Sequence, residues 1–382
     1  MSDLDLHIPP YAAARLVAPR VFDHFTRHAA VSLERGRWTA PVADSATIEA
    51  VVNAAFWASL RREEGFVPRI SLAVIAPDEI PQPMHFEHAL PLRPATLTRV
   101  APAVERAGIH LGVCRDNGEL VVWGTARAVP STCIVVEVSA PGLLVIKHQR
   151  GDDAGKFVNV AVLEGDQIKV VDERASTLPD CPALVGSLLG FGAAEDGEPL
   201  HVMVQLAVSM RAHGRGGSLL VVPQTDVAWR ESIVHPMLYA VMPPYAELAS
   251  LARLAPEEST GLTWQEALTH AIDAVAGLTA VDGATLVTSD YELLGFGAKI
   301  ARRRGSAPVE QVSLTEPIEG TSATVVHPTQ LGGTRHLSSA QFVHDQRDAV
   351  ALVASQDGQF TVFAWSPCEE MVHAHRVEAL LL

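Results

Sequence analysis

Three features of the 382-residue chain predict two domains, an N-terminal α+β domain and a C-terminal α/β domain with a twisted mixed sheet flanked by helices. Short apolar runs crowd the middle of the chain. Beyond residue 200, helical and strand-like segments alternate. Between these regions lies "ASTLPDCPALVGSLLGFGAAEDGEPL" (175–200), loaded with proline, glycine and acidic residues. A boundary there gives domains of 1–195 and 196–382.

Taken in order, "SATIEAVVNAAFWASLRREEG" (45–65) has helical periodicity and ends at a glycine, and "RISLAVIAP" (69–77) reads as a strand. "IHLGVCRDNGELVVWGTARAV" (109–129) is two apolar runs joined at Asn117-Gly118, a strong hairpin signal. "CIVVEV", "GLLVIKH", "KFVNVAVL" and "DQIKVVDE" supply further strands. In the second half a helix (200–216) precedes the strand "GSLLVVP" (217–223). "TWQEALTHAIDAVAG" is a second helix: Thr263 and Glu266 suit a capping box, Leu268, Ile272 and Val275 form its apolar stripe, and Gly277 is its expected stop. A hairpin-like strand pair (282–300), a polar loop, a helix from about 337 and the strands "DAVALVAS" and "QFTVFAW" complete the reading.

Composition excludes several classes. With 48% hydrophobic and 19% charged residues the chain folds and is not disordered. A net charge of -15 disfavours nucleic-acid polymers, which recruit an excess of Lys and Arg, while leaving room for a nucleotide site with a few local cations. No apolar run approaches the roughly 20 residues that span a bilayer. The start, "MSDLDLHIPPYAAARL", lacks a signal-peptide core, so a cytoplasmic protein with no membrane partner is expected. Cys114, Cys133, Cys181 and Cys368 form no CxxC pair and read as reduced core thiols. His85/His88 and His373/His375 lack the further ligands that a metal site needs and read as solvated or helix-surface histidines. "GDDAGKF" (151–157) imitates a P-loop, but the spacing is one residue short and Phe157 stands where a hydroxyl should meet magnesium; it reads as a turn.

The candidate site begins in "GGTRHLSSAQF" (332–342). Glycines free the backbone for close approach, and Thr334, Arg335 and His336 suit phosphate oxygens. Around it lie, in order, "GGSLLVVP", "VDGATLV", "RDAVALVAS" and "SQDG". Over about 200–370 these motifs resemble the catalytic domain of bacterial diadenylate cyclases, which make cyclic di-AMP from two ATP molecules. Gly217, Ser218, Leu219 and Leu220 match the family's Gly-Ala-Leu-Ile strand with serine for alanine. Asp282, Gly283 and Ala284 match its Asp-Gly-Ala turn. Gly333, Thr334, Arg335 and His336 match four of the five positions of its Gly-Thr-Arg-His-Arg loop, and Ser355 matches the start of its Ser-Glu-Glu strand end.

That resemblance implies a soluble nucleotidyltransferase acting as a homo-oligomer. Asp282, Arg335 and His336 would be catalytic, with Asp282 holding Mg²⁺ or Mn²⁺. Gly217, Ser218, Leu219, Gly283, Ala284, Gly333, Thr334 and Ser355 would bind ATP. Leu337 replaces the family's second arginine, and "SQDG" replaces an acidic pair. Arg347 or the run Arg302-Arg303-Arg304 is a candidate for restoring the charge. Two outcomes stay open: a divergent cyclase, or a nucleotide or cyclic-dinucleotide sensor that no longer joins its ligands.

The N-terminal domain resembles the sensor region, of the DACNV type, that precedes the catalytic domain in some relatives. A docking or dimerisation domain is the other reading. There is also a faint internal echo. "AFWASLRREEGFVPRISLAVIAP" resembles "LAVSMRAHGRGGSLLVVP", and "GELVVWGTARA" resembles "YELLGFGAKIA".

Overall fold

Asn117 and Gly118 adopt φ of 48° and 88°, the paired positive values of a two-residue turn whose twist matches its strands. They join β3 (His110–Asp116) to β4 (Glu119–Ala126) as the dipeptide predicts. The computed structural model describes residues 9–63, 65–106, 108–149, 157–173, 180–189, 200–254 and 262–382. The P-loop imitation lies almost wholly outside them.

Contacts divide the chain into a first unit, through Val171 with Leu382, and a second, Asp172–Leu381. This division falls earlier than the 195/196 boundary suggested by composition. The reason is local: the Asp172 N–H donates to Pro317 O at 2.9 Å, and the Asp180 carboxylate accepts from Ser366 Oγ and Cys368 N, so this segment already belongs to the second unit.

In the first unit the helices are α1 (Ala12–Glu34), α2 (Ser45–Ser59) and α3 (Pro94–Val100). The other strands are β1 (Ile70–Val74), β2 (Met84–Pro91), β5 (Ile134–Ala140), β6 (Leu143–Gln149), β7 (Phe157–Glu164) and β8 (Gln167–Val170). They form one sheet in the order β2-β4-β3-β1-β5-β6-β7-β8, with β1 and β3 parallel and the other neighbours antiparallel. Asp44 caps α2 by accepting the Thr47 N–H at 2.7 Å. The helix ends at Ser59, short of Gly65, because Glu63 and Phe66 exchange backbone hydrogen bonds and turn the chain. The sequence reading missed α1, although Ala14, Val17, Val21 and Phe25 recur at helical spacing and are all buried. That stripe and its counterpart on α2 (Ile48, Val51, Ala55) pack on Leu72, Leu111, Ile134 and Ile146 of the sheet.

In the second unit the helices are α4 (Ala183–Leu188), α5 (Leu200–Ala212), α6 (Glu247–Ala252), α7 (Leu262–Leu278) and α8 (Thr334–Asp345). The strands are β9 (Gly217–Val222), β10 (Tyr239–Tyr245), β11 (Ala284–Thr288), β12 (Leu293–Ala298), β13 (Val312–Thr315), β14 (Thr324–Val326), β15 (Val350–Ala354), β16 (Phe360–Ser366) and β17 (Met371–Arg376). They form a second mixed sheet, β10-β12-β11-β9-β15-β16-β17-β13-β14, with β9/β11 and β13/β17 parallel. The edge strand β10 carries Pro243 and Pro244.

Three details differ from the sequence reading. Helix α7 starts at Leu262, so Thr263 stands inside its first turn and is no cap; Gly277 lies within the helix, which runs one residue further. Helix α8 starts at Thr334, so the Thr-Arg-His run is its first turn and not a loop before it.

The four cysteines are unpaired, but only Cys133 is a core thiol: Cys114 and Cys181 are half-buried, and Cys368 is exposed in the turn between β16 and β17. His373 and His375 are neither solvated nor on a helix: both are buried on β17, where alternate strand positions pack inside the unit, and they meet Glu369 at 2.9 Å and Thr315 Oγ1 at 2.8 Å, respectively. No helix among the described residues is long and apolar enough to cross a membrane.

Candidate functional site

The amino ends of the parallel strands β9 and β11 meet the carboxyl ends of the antiparallel strands β12 and β15 along one rim of the second sheet. A cleft of about 680 Å³ opens there. Gly283 has φ of +109°, and a Cβ on it would fall 2.5 Å from the carbonyl carbon of Gly297. Only glycine lets the start of β11 come so close to the end of β12. Beyond that contact Ala284 pairs with both Ser218 and Ala298, and Asp282 is delivered to the cleft mouth.

The carboxylate of Asp282 is 85% exposed and lies 2.5 Å from Lys299 Nζ, whose side chain is 60% exposed. The Lys299 hydrogen bond and charge hold the Asp282 carboxyl below its usual range, with Arg335 adding to the effect.

Across the cleft stands the amino end of α8. Gly333 is its N-cap, with no side chain closing the first turn, so the orphan N–H groups and the positive end of the helix dipole front the cleft. Thr334 is exposed, and Arg335 is half-buried with no carboxylate partner among the described residues. The Arg335 guanidinium reaches β9, since a Cβ on Gly216 would lie 3.2 Å from its Nη1.

His336 turns inward and is only 2% exposed. Its ring fills the space beneath Gly332, where a Cβ would fall 2.5 Å from Nδ1, and stands 6.1 Å from the Phe363 ring. Burial lowers its pKa, and Arg376 and Arg335 lower it further against Asp357. A neutral ring therefore sits under the loop, with Nε2 lacking a hydrogen-bond partner among the described residues.

The far wall is the turn after β15. The Ser355 N–H donates to Gln359 O at 2.9 Å, and its hydroxyl donates to the Asp357 carboxylate. That hydroxyl and a backbone N–H keep the Asp357 pKa low.

The cleft thus brings together Ser218, Asp282, Gly283, Ala284, Gly333, Thr334, Arg335, His336 and Ser355 from four separate stretches of chain. It does not gather Gly217 or Leu219. Both point to the opposite sheet face: Gly217 packs against Thr279, where a Cβ would meet the carbonyl at 2.5 Å, and Leu219 is fully buried. Lys299, Gln356 and Asp357 also line the cleft and were missed in the sequence.

The suggested replacements for the missing arginine do not serve. Arg303, Arg304 and Arg347 line a separate cavity of about 590 Å³, where Arg303 pairs with Glu231 at 2.7 Å and Arg347 lies 4.0 Å over Trp365. Leu337 itself packs against the core of the second unit.

No curated protein matches the chain. Among solved structures, one described as the hypothetical membrane spanning protein from Bacillus cereus shares 12% identity over 50% of this chain and 70% of its own, with a TM-score of 0.28. DacA from Staphylococcus aureus, solved as a double mutant, shares 13% identity over 46% of this chain and 83% of its own, with a TM-score of 0.24. Similarity at this level carries no argument about activity. Residues 37–127, within the first unit, match the family described as "Probable sensor domain DACNV".

Proposed function

We propose that the second unit is a nucleotidyltransferase that condenses two ATP molecules into cyclic di-AMP, under control of the first unit acting as a sensor. One observation carries the reading. Ser218, Asp282, Arg335 and Ser355 are far apart in sequence yet line one cleft, faced by an uncapped helix start. In the reaction each ribose 3′-oxygen bonds to the α-phosphorus of the other nucleotide while the α–β phosphoanhydride bond breaks. Two pyrophosphates leave, and each hydroxyl proton passes to solvent. Positioning and charge stabilisation supply most of such catalysis. The N–H groups at the start of α8 and the Arg335 guanidinium receive phosphate oxygens. Neutral His336 supports the loop from beneath, a positioning role. Ser218, Gly283 and Ala284 let the nucleotide approach the sheet rim.

A divalent ion fits this donor set in one way. Among the described residues no three His, Cys, Asp or Glu side chains are grouped to hold it. Of the two exposed carboxylates that line the cleft, Asp357 already accepts from Ser355, and Asp282 suits Mg²⁺ or Mn²⁺ that arrives with the nucleotide and keeps phosphate and water ligands. When bound, the ion would offset phosphate charge and polarise the attacking hydroxyl.

One cleft holds one nucleotide, so two copies of the chain meet face to face to close a two-fold-symmetric product. The match of residues 37–127 supports a sensor role for the first unit.

Incubation with ATP and Mn²⁺, with products resolved by mass, tests the reaction. Cyclic di-AMP is expected, with specific activity rising as protein concentration passes the association constant. Unchanged ATP across metals and concentrations overturns the enzyme reading, and full activity from a protein that sediments as a monomer overturns the face-to-face arrangement. A second reading, a nucleotide or cyclic-dinucleotide sensor, is favoured by Ser355, whose hydroxyl is already committed to Asp357. Saturable binding without turnover in the same mixtures selects it.

A further inference from the structure

Lys299 follows the last residue of β12, and its backbone is pinned. Its carbonyl accepts the Val234 N–H at 2.8 Å, the next residue, Ile300, bridges to Ile233, and the Ala301 N–H donates to Ser232 O at 2.9 Å. The side chain therefore moves on a fixed pivot. It lines the same cleft as Arg335 and the start of α8, and its ammonium rests on Asp282.

That contact places the ammonium on the oxygen that a divalent ion would need. The two cations compete for one carboxylate. Without Lys299, the Asp282 carboxylate would face incoming phosphate uncompensated. An ammonium displaced from Asp282 stays within the cleft on a flexible four-carbon stem, and because the other carboxylate lining it, Asp357, already accepts from Ser355, nucleotide phosphate is the anion left to receive it. Leu337 supplies no charge there and the arginines of the neighbouring cavity are engaged elsewhere, which leaves Lys299 beside Arg335 as the second cation lining this cleft.

We propose that Lys299 is a phosphate-binding residue that serves as the counter-ion of Asp282 in the empty cleft and turns to phosphate when nucleotide enters, which frees Asp282 for the metal. This role rests on the nucleotide reading given above. It makes metal alone a poor ligand and couples metal binding to nucleotide binding.

The test uses the full chain as wild type, Lys299→Ala and Lys299→Arg, with two probes. Mn²⁺ alone is titrated by electron paramagnetic resonance, and ATP alone is titrated by calorimetry in EDTA. Loss of an exposed ion pair should tighten Mn²⁺ binding to Lys299→Ala by about two- to fivefold. Loss of a charge-assisted phosphate contact should weaken ATP binding by roughly tenfold. Lys299→Arg should hold ATP within about threefold of wild type, since it keeps the charge. Wild type that binds ATP while Lys299→Ala binds it equally well overturns the role of Lys299 alone. Mn²⁺ affinity unchanged in Lys299→Ala overturns the competition for Asp282. Wild type that binds no ATP, with or without Mn²⁺, overturns the nucleotide reading and this role with it.

Discussion

Seven strands of each sheet run in the same order: β2-β4-β3-β1-β5-β6-β7 in the first unit and β10-β12-β11-β9-β15-β16-β17 in the second. In each, the first strand after a helix pairs parallel with the third (β1 with β3, β9 with β11), and the other five neighbouring pairs are antiparallel. The sequence echo falls on matching elements, with α2 and β1 against α5 and β9, and β4 against β12. The units part where β4 ends. The first passes to β5 through residues 127–133, whereas the second inserts residues 299–349 before β15, including β13, β14 and α8. Lys299, Gly333, Thr334 and Arg335 all lie in that insertion. Early in β1 the first unit has Ser71 bonded to His110 at 2.7 Å, both buried, and Trp123, Ala40 and Ile80 pack on that side of the sheet. The same frame is filled in one unit and opened in the other. A sheet supplies a rim; added segments decide what the rim can hold.

The largest effects should separate the two. Arg335→Ala should cut cyclic di-AMP formation severely, with roughly 10³- to 10⁵-fold as the upper bound for an arginine that meets transition-state phosphate charge. Asp282→Asn should abolish product while keeping the fold. His110→Ala, at the buried pair of the first unit, should leave the chemical step of single-turnover assays unchanged. A loss below about tenfold in Arg335→Ala would make α8 an ordinary polar helix start and erase the functional contrast.

Gly283→Ala should come next. Its Cβ would collide with the backbone at Gly297, so a cost of about 1–3 kcal/mol in unfolding free energy, read from urea denaturation, is expected together with weaker ATP binding, because Asp282 rides on the same turn. Wild-type stability in that variant would show that the rim relaxes.

Acid should distinguish the units more gently. In the first, His24, His28 and His148 cluster with ring centroids 4.2–6.2 Å apart. Burial, then neighbouring charge, lowers His24 to about 4 and His148 to about 3 from an ordinary 6.5. Folded values below the unfolded value mean that the fold holds the neutral rings. Their stabilisation is complete above about pH 6.5 and is lost as pH falls through 6.5 toward 4. Hydrogen exchange corrected for intrinsic rate should show the first unit opening before the second between pH 6.5 and 4. The reverse order would show that the histidine cluster does not govern acid stability.

The smallest effect concerns Leu337. Leu337→Arg should not improve ATP affinity, because this side chain packs on the core and does not front the cleft; a fall of a few degrees in Tm is expected. Tighter ATP binding would mean that α8 can turn its first turn toward the ligand.

Legibility in the sequence followed the range of the interaction. Asn117-Gly118 is local chemistry, and its hairpin was plain. Asp282, Ser218, Arg335 and Ser355 were legible as types because each sits in a short motif. Lys299 was not: a lysine after a strand reads as solvated surface until Gly283 and Gly297 bring Asp282 beside it. His336 looked like a phosphate ligand because its burial depends on Phe363, which is distant in sequence. The start of α8 was hidden because its cap is glycine and lacks the usual side-chain oxygen. Strand β10 was hidden because prolines argue against a strand unless it lies at an edge.

That edge has a further consequence. An open sheet border is a template on which foreign strands can polymerise, and β10 forms one border of the second sheet. Pro243 and Pro244 interrupt its run of backbone donors, so a strand laid along it finds a broken ladder. Copies of the chain can thus crowd at high concentration with this margin guarded against fibrous growth.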